Sequence, residues 1–123
     1  MKYKVINLTR TPDRLVLFKK NNPNFKFERF SAIDGKKIDR KSLVEYNIMT
    51  ESTNTRYTDG AIGVALSHKT LWEECVKLNE PMTILEDDAY LVPNFNDLVL
   101  QYTSKLPSWD FISVSYTHLR AHE

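Results

Sequence analysis

The feature that most constrains the fold is a long helical pattern that runs directly into an apolar strand. In "GAIGVALSHKTLWEECVKLNEPMTILEDD" (60–88), Leu66, Leu71 or Trp72, Cys75 and Leu78 recur at helical spacing. Gly63 and Ala65 are small, which suits close packing against a sheet. Pro81 ends the helix, and "MTILE" follows without polar alternation, the pattern of a central strand buried on both faces.

The rest of the chain supplies partners for that unit. "YKVINL" (3–8) reads as a first strand. Thr11, Pro12 and Asp13 form a helix start, with Leu15, Val16 and Phe18 turned inward and a stop near "KKNNPN". "FKFERFSAID" (25–34) reads as a second strand closed by a turn at Gly35, followed by a short helix over 42–46. Residues 49–60 are polar and irregular and read as a loop. "FNDLVLQYTSKL" (95–106) and "WDFISVS" (109–115) read as a further helix and strand. The order βαβ(α)αβαβ defines an α/β chain with an open, largely parallel sheet and flanking helices.

Composition narrows the functional classes. With 17 basic and 16 acidic residues, the charge balance gives no global reason to expect nucleic acid as partner. The single cysteine, Cys75, excludes an intramolecular disulfide and reads as a buried, inert thiol. The N-terminal apolar stretch is too short for a signal peptide, and no run approaches the ~20 apolar residues of a membrane span. The expected location is cytoplasmic, with peripheral membrane contact left open.

"ILEDD" ends the predicted central strand in Glu86, Asp87 and Asp88. Three adjacent carboxylates repel one another and lose solvation when buried, so something must offset that cost. In an open α/β sheet, ligands sit beyond the carboxyl ends of strands. Side chains two apart in an extended segment share a side, which groups Glu86 with Asp88 and opposes Asp87. Two oxygen ligands on one side suit magnesium or manganese bridging a diphosphate. The competing reading is a solvated acidic turn. A phosphoacceptor receiver site is excluded by position, because the acids arrive too late for its remaining strands to follow.

Four blocks in order carry a family resemblance: "VINLTRTPDR" (5–14), "RFSAIDGKKI" (29–38), "GAIGVALSHKTLWEECV" (60–76) and "PMTILEDDAYLVPNF" (81–95). Together they resemble family 25 glycosyltransferases, the lipooligosaccharide and procollagen galactosyltransferase group. The resemblance implies a GT-A type, Rossmann-like fold, incomplete here at its C-terminus. It also implies a UDP-sugar donor, commonly UDP-galactose, and inverting transfer to a saccharide or glycolipid acceptor. The Glu-Asp-Asp stretch takes the place of an Asp-x-Asp motif, with Asp88 implied as ligand to Mn²⁺ or Mg²⁺; Glu86 stands where the family usually has aspartate and is a second metal ligand or a ribose contact. Asp87 joins the donor-binding set.

Other positions carry physical readings beside the family ones. Asn7, Thr9 and Arg10 end the first strand, where a base or ribose would lie in that fold. Arg14 offers a fork for phosphate, or is an exposed helix charge. Asp34 is a ribose or uracil acceptor, or a turn cap. His68 is a donor contact or a packing residue; Ser67 reads as structural and Trp72 as core. An inverting transfer needs a general base; none stands out, and it is expected in the acceptor half of a longer enzyme. Residues 1–112 thus read as the donor-binding part. Residues 113–123 read as an atypical tail resembling translated adapter sequence, which discounts His118 and His122 as a metal pair. The alternative to an enzyme is a non-catalytic nucleotide- or saccharide-binding remnant.

Overall fold

The computed structural model describes residues 1–114 of the 123. Two units divide at Tyr90 and Leu91. The first, Met1–Tyr90, holds the sheet. Strand β1 (Lys2–Asn7) lies between β2 (Glu28–Ser31) and β3 (Met82–Glu86), and both pairings are parallel. The register sets Asn7 opposite Ser31 and Ile6 opposite Glu86, so all three strands end at one edge. Helix α1 (Pro12–Asn21) connects β1 to β2. A 3₁₀ turn (Gly35–Lys37), α2 (Arg40–Glu45), α3 (Glu51–Arg56) and the long α4 (Asp59–Leu78) lead to β3. This is the expected α/β class with an open parallel sheet and helical connections.

Local chemistry accounts for the element ends. Pro12 opens α1, but the Thr11 hydroxyl donates back to the Leu8 carbonyl and does not cap the helix. Thr58 caps α4, accepting from the Ala61 N–H at 3.2 Å. At the other end Asn79 adopts a left-handed conformation, φ 51°, and Pro81 follows. Core packing gathers Val5, Ile6, Phe18, Ile62 and Leu71. Phe18 meets Phe25 and Phe27 edge-on, with centroids 6.2 and 5.2 Å apart.

Several expectations are corrected. MTILE is a half-buried strand at the edge of the described sheet, and the buried central strand is β1. Periodicity reports how apolar a strand is, not which neighbours it acquires. The second strand is confined to Glu28–Ser31. The presumed loop over 49–60 contains α3, because the Thr50 hydroxyl accepts from the Thr53 N–H and nucleates a turn in polar sequence. Val16 and Trp72 face outward, at 67% and 46% exposure, and Cys75 is half-buried. The sheet and the turn over 33–35 together cover only a narrow stripe of α4, which runs through Ile62, Gly63, Ser67 and Leu71.

The second unit, described from residue 91 to 114, contains α5 (Phe95–Lys105). Residues 109–114 form no strand. A β-prone segment becomes a strand only by pairing, and none of the described residues pairs with it. Residues 115–123 of the atypical tail, with His118 and His122, lie outside the described residues. No helix among the described residues is long and apolar enough to cross a membrane.

Candidate functional site

The carboxyl edge of the sheet places three groups of side chains next to one another. The first surrounds the acidic turn after β3. Asp87 is 9% exposed, and both of its carboxylate oxygens are engaged. Asn7 Nδ2 donates to Oδ2 at 2.7 Å, while Arg14 donates to Oδ1 from Nε at 2.8 Å and from its terminal nitrogen at 2.6 Å. The carboxylate beside it holds the Arg14 guanidinium above its ordinary pKa. Asp88 projects into solvent with Arg14 at 3.6 Å. The acids therefore separate into one buried anchor and two outward carboxylates, Glu86 and Asp88.

The second group forms a cleft between the ends of β1 and β2, about 440 Å³ in volume, lined by Thr9, Arg10, Ser31, Asp34 and Lys37 among others. Arg10 Nε donates to Asp34 at 2.9 Å. Asp34 also caps the 3₁₀ turn, accepting from the Lys36 N–H at 3.1 Å. Its cap role and its place in the cleft are compatible, because each uses a different carboxylate oxygen. The third group is a pair on the β3 side. His68 Nε2 lies 3.5 Å from Glu86 and its ring is tilted against Trp72 at 6.1 Å.

The structure thus brings Asn7, Arg14, Asp87 and Asp88 together, and Arg10 with Asp34. His68 accompanies Glu86 and is not part of the cleft lining. Among the described residues, no three His, Cys, Asp or Glu side chains form a ready metal cage. Glu86, beside His68, and Asp88, beside Arg14, are exposed carboxylates, the donor type of which a hard cation takes one or two alongside water and phosphate oxygens.

Residues 1–122 match the family described as "Glycosyltransferase family 25 (LPS biosynthesis protein)". The chain belongs to glycosyltransferase family 25. It is similar to "Glycosyltransferase 25 family member" of Anopheles gambiae, 32% identical, covering 88% of this chain and 20% of that protein. A protein of the same description from Aedes aegypti is 31% identical with the same coverage. "Procollagen lysyl hydroxylase and glycosyltransferase" of Acanthamoeba polyphaga mimivirus is 29% identical over 83% of this chain and 13% of its own length. The chain therefore spans about a fifth or less of the length of these relatives. No solved structure matches it.

Two side chains of this family 25 chain escaped the sequence reading. Arg29, at the β2 position opposite Val5, donates to Asn7 and Thr9. An arginine close to the carboxyl end of a parallel strand is the signal that was available. Asn22, 6% exposed, bonds the Ala89 carbonyl at 3.0 Å and fastens the segment after the acids to α1. The asparagine pair before Pro23 marked a helix end but not that long-range bond. Ser67 is fully buried, accepting from the Ile33 N–H and donating to the Gly63 carbonyl, which is a structural role.

Asp34 yields a pH prediction. Its carboxyl is held below the usual carboxylate range, first by the Lys36 N–H and further by Arg10, against a burial cost. A depressed folded pKa contributes stability that is present above the unfolded value, about 3.9, and is lost as pH falls through the folded value. Asp34→Asn should therefore lie below wild type in urea midpoint near neutral pH. The gap should close as pH is lowered through that acid window.

Proposed function

We propose that this chain is the donor-binding front of a glycosyltransferase that moves a hexose, galactose being the leading choice, from a UDP-sugar to a saccharide or glycolipid acceptor with inversion. The observation that carries the reading is the juxtaposition, in a family 25 chain, of an open cleft and two outward carboxylates at the carboxyl edge of a parallel sheet. In this proposal Thr9, Arg10 and Asp34 orient the nucleoside. Arg14, already paired with Asp87, adds positive charge on the diphosphate side. Glu86 and Asp88 hold Mn²⁺ or Mg²⁺, whose chemistry in such a site is to neutralise the departing diphosphate. His68 orients Glu86. The general base that deprotonates the acceptor hydroxyl is assigned to the acceptor half of the enzyme. For a glycolipid acceptor, the enzyme works from the cytoplasm in peripheral contact with the membrane.

Isothermal titration with UDP tests the reading. UDP should bind measurably tighter with Mn²⁺ present, and Asp88→Ala should weaken that binding by at least about tenfold. Equal UDP affinity with and without Mn²⁺, or between wild type and Asp88→Ala, would count decisively against a metal–diphosphate site.

A further inference from the structure

We infer that Arg29 is a positioning residue that aims the acidic turn from the far side of the sheet, acting through Asn7 and Asp87. The inference rests on the donor-site reading above and extends it to a residue on β2 with no contact to the acids themselves. Asn7 is 1% exposed, so its amide has no recourse to solvent. Its Oδ1 accepts from Arg29 Nε at 3.0 Å, and its Nδ2 donates to Asp87 at 2.7 Å and to the Thr11 carbonyl at 3.2 Å. Donors and acceptors on both sides fix which end of the amide is which: Oδ1 must face the guanidinium and Nδ2 the carboxylate.

Arg29 secures that orientation at two further points. Its terminal nitrogen donates to the Asn7 backbone carbonyl and to the Thr9 hydroxyl, each at 3.1 Å. Thr9 lines the cleft and also shares a hydrogen bond of 3.0 Å with Ser31. A continuous polar chain therefore runs from the cleft wall through Arg29 and Asn7 to the buried middle acid. Asp87 is flanked directly by Glu86 and Asp88, so fixing its side chain fixes the backbone from which the two outward carboxylates project. Supporting hydrogen bonds of this kind orient ligands at metal sites and typically govern affinity by about 10- to 100-fold.

Arg29 is exposed, so its replacement leaves the core intact and a small exogenous ion can reach the vacated place. The test uses the full-length protein with UDP saturating and Mn²⁺ titrated, free Mn²⁺ being read by electron paramagnetic resonance. Arg29→Ala should lower Mn²⁺ affinity by roughly tenfold. Millimolar guanidinium, far below denaturing concentrations, should restore most of the loss, whereas methylammonium, which lacks the planar fork, should not. Wild-type affinity in Arg29→Ala, or a loss that guanidinium leaves untouched, overturns the positioning role. Wild-type protein that holds no Mn²⁺ beside UDP overturns the donor-site reading and this inference with it, so the two failures are distinct.

Discussion

Gly35→Ala is expected to destabilise the fold by on the order of 3 kcal/mol, seen as a lower urea midpoint. A Cβ built on Gly35 would stand 1.7 Å from the Asp59 carbonyl oxygen and 2.5 Å from its carbon. Both are backbone atoms in the first turn of α4, so no rotamer change can relieve the overlap. The turn and the helix must part, or one must deform. Gly63 forms the other half of the contact: its Cβ would meet the Ile33 carbonyl at 2.6 Å and the Gly35 nitrogen at 2.8 Å. Gly60 provides the control. Its added Cβ meets nothing nearer than the Thr58 hydroxyl at 3.9 Å, so Gly60→Ala should be neutral or stabilising by up to about 1 kcal/mol. Equal effects at Gly35 and Gly60 would contradict the close approach of the turn to α4.

Asp87→Ala should cost about 2 to 3 kcal/mol and remove Mn²⁺-dependent UDP binding together. Truncation leaves the buried Asn7 amide and the Arg14 fork without their shared acceptor. The stability figure sits below that for a fully buried ion pair because the Arg14 side chain is 49% exposed and recovers part of its solvation. Asp87→Asn keeps an acceptor for one neighbour and should cost less, about 1 kcal/mol. Chemical denaturation and calorimetric titration on the same samples separate two roles. A donor-contact residue would lose binding at unchanged stability, whereas the anchor seen here loses both.

The sequence was informative wherever function and fold depend on local pattern. Strand β1, the proline-led α1, the long α4 and the turn at Gly35 all follow from short-range signals. The separation of the acids does not come from strand alternation: β3 ends at Glu86, Asp87 and Asp88 lie in a turn closed by the Ala89 N–H on the Glu86 carbonyl, and Asp87 is held inward by Asn7 and Arg14. What local pattern does not contain is the partner. Asp87 finds Asn7 and Arg14 at sequence separations of 80 and 73, and nothing near residue 87 announces either. In the sequence Arg14 is a phosphate fork or a solvated charge; the structure pairs it with the acidic turn. The helical period admits Trp72 as core beside Leu71, yet only Leu71 is buried. Sheet width decides between them, and strand order is not a local property. The small side chain of Gly63 signals close packing, but what packs on it is the turn over 33–35 and not the sheet.

The parallel sheet also dictates when the acidic site comes into being. Strand β1 is made before β3, with which it pairs in a register that joins Lys2 to Met82. Every bond that seats Asp87 spans at least 73 residues. Loop-closure entropy rises slowly with length, but it must be met before any of those bonds forms, so such contacts arise late in folding. During synthesis, β1, α1 and β2 emerge with one flank of β1 still unpaired. Asn7 and Arg29 can already join, while the carboxylate they await is still inside the ribosome. The nascent chain thus carries an exposed strand flank until residues 82–88 arrive, when β3 covers that flank of β1 and brings Asp87 to Asn7 and Arg14.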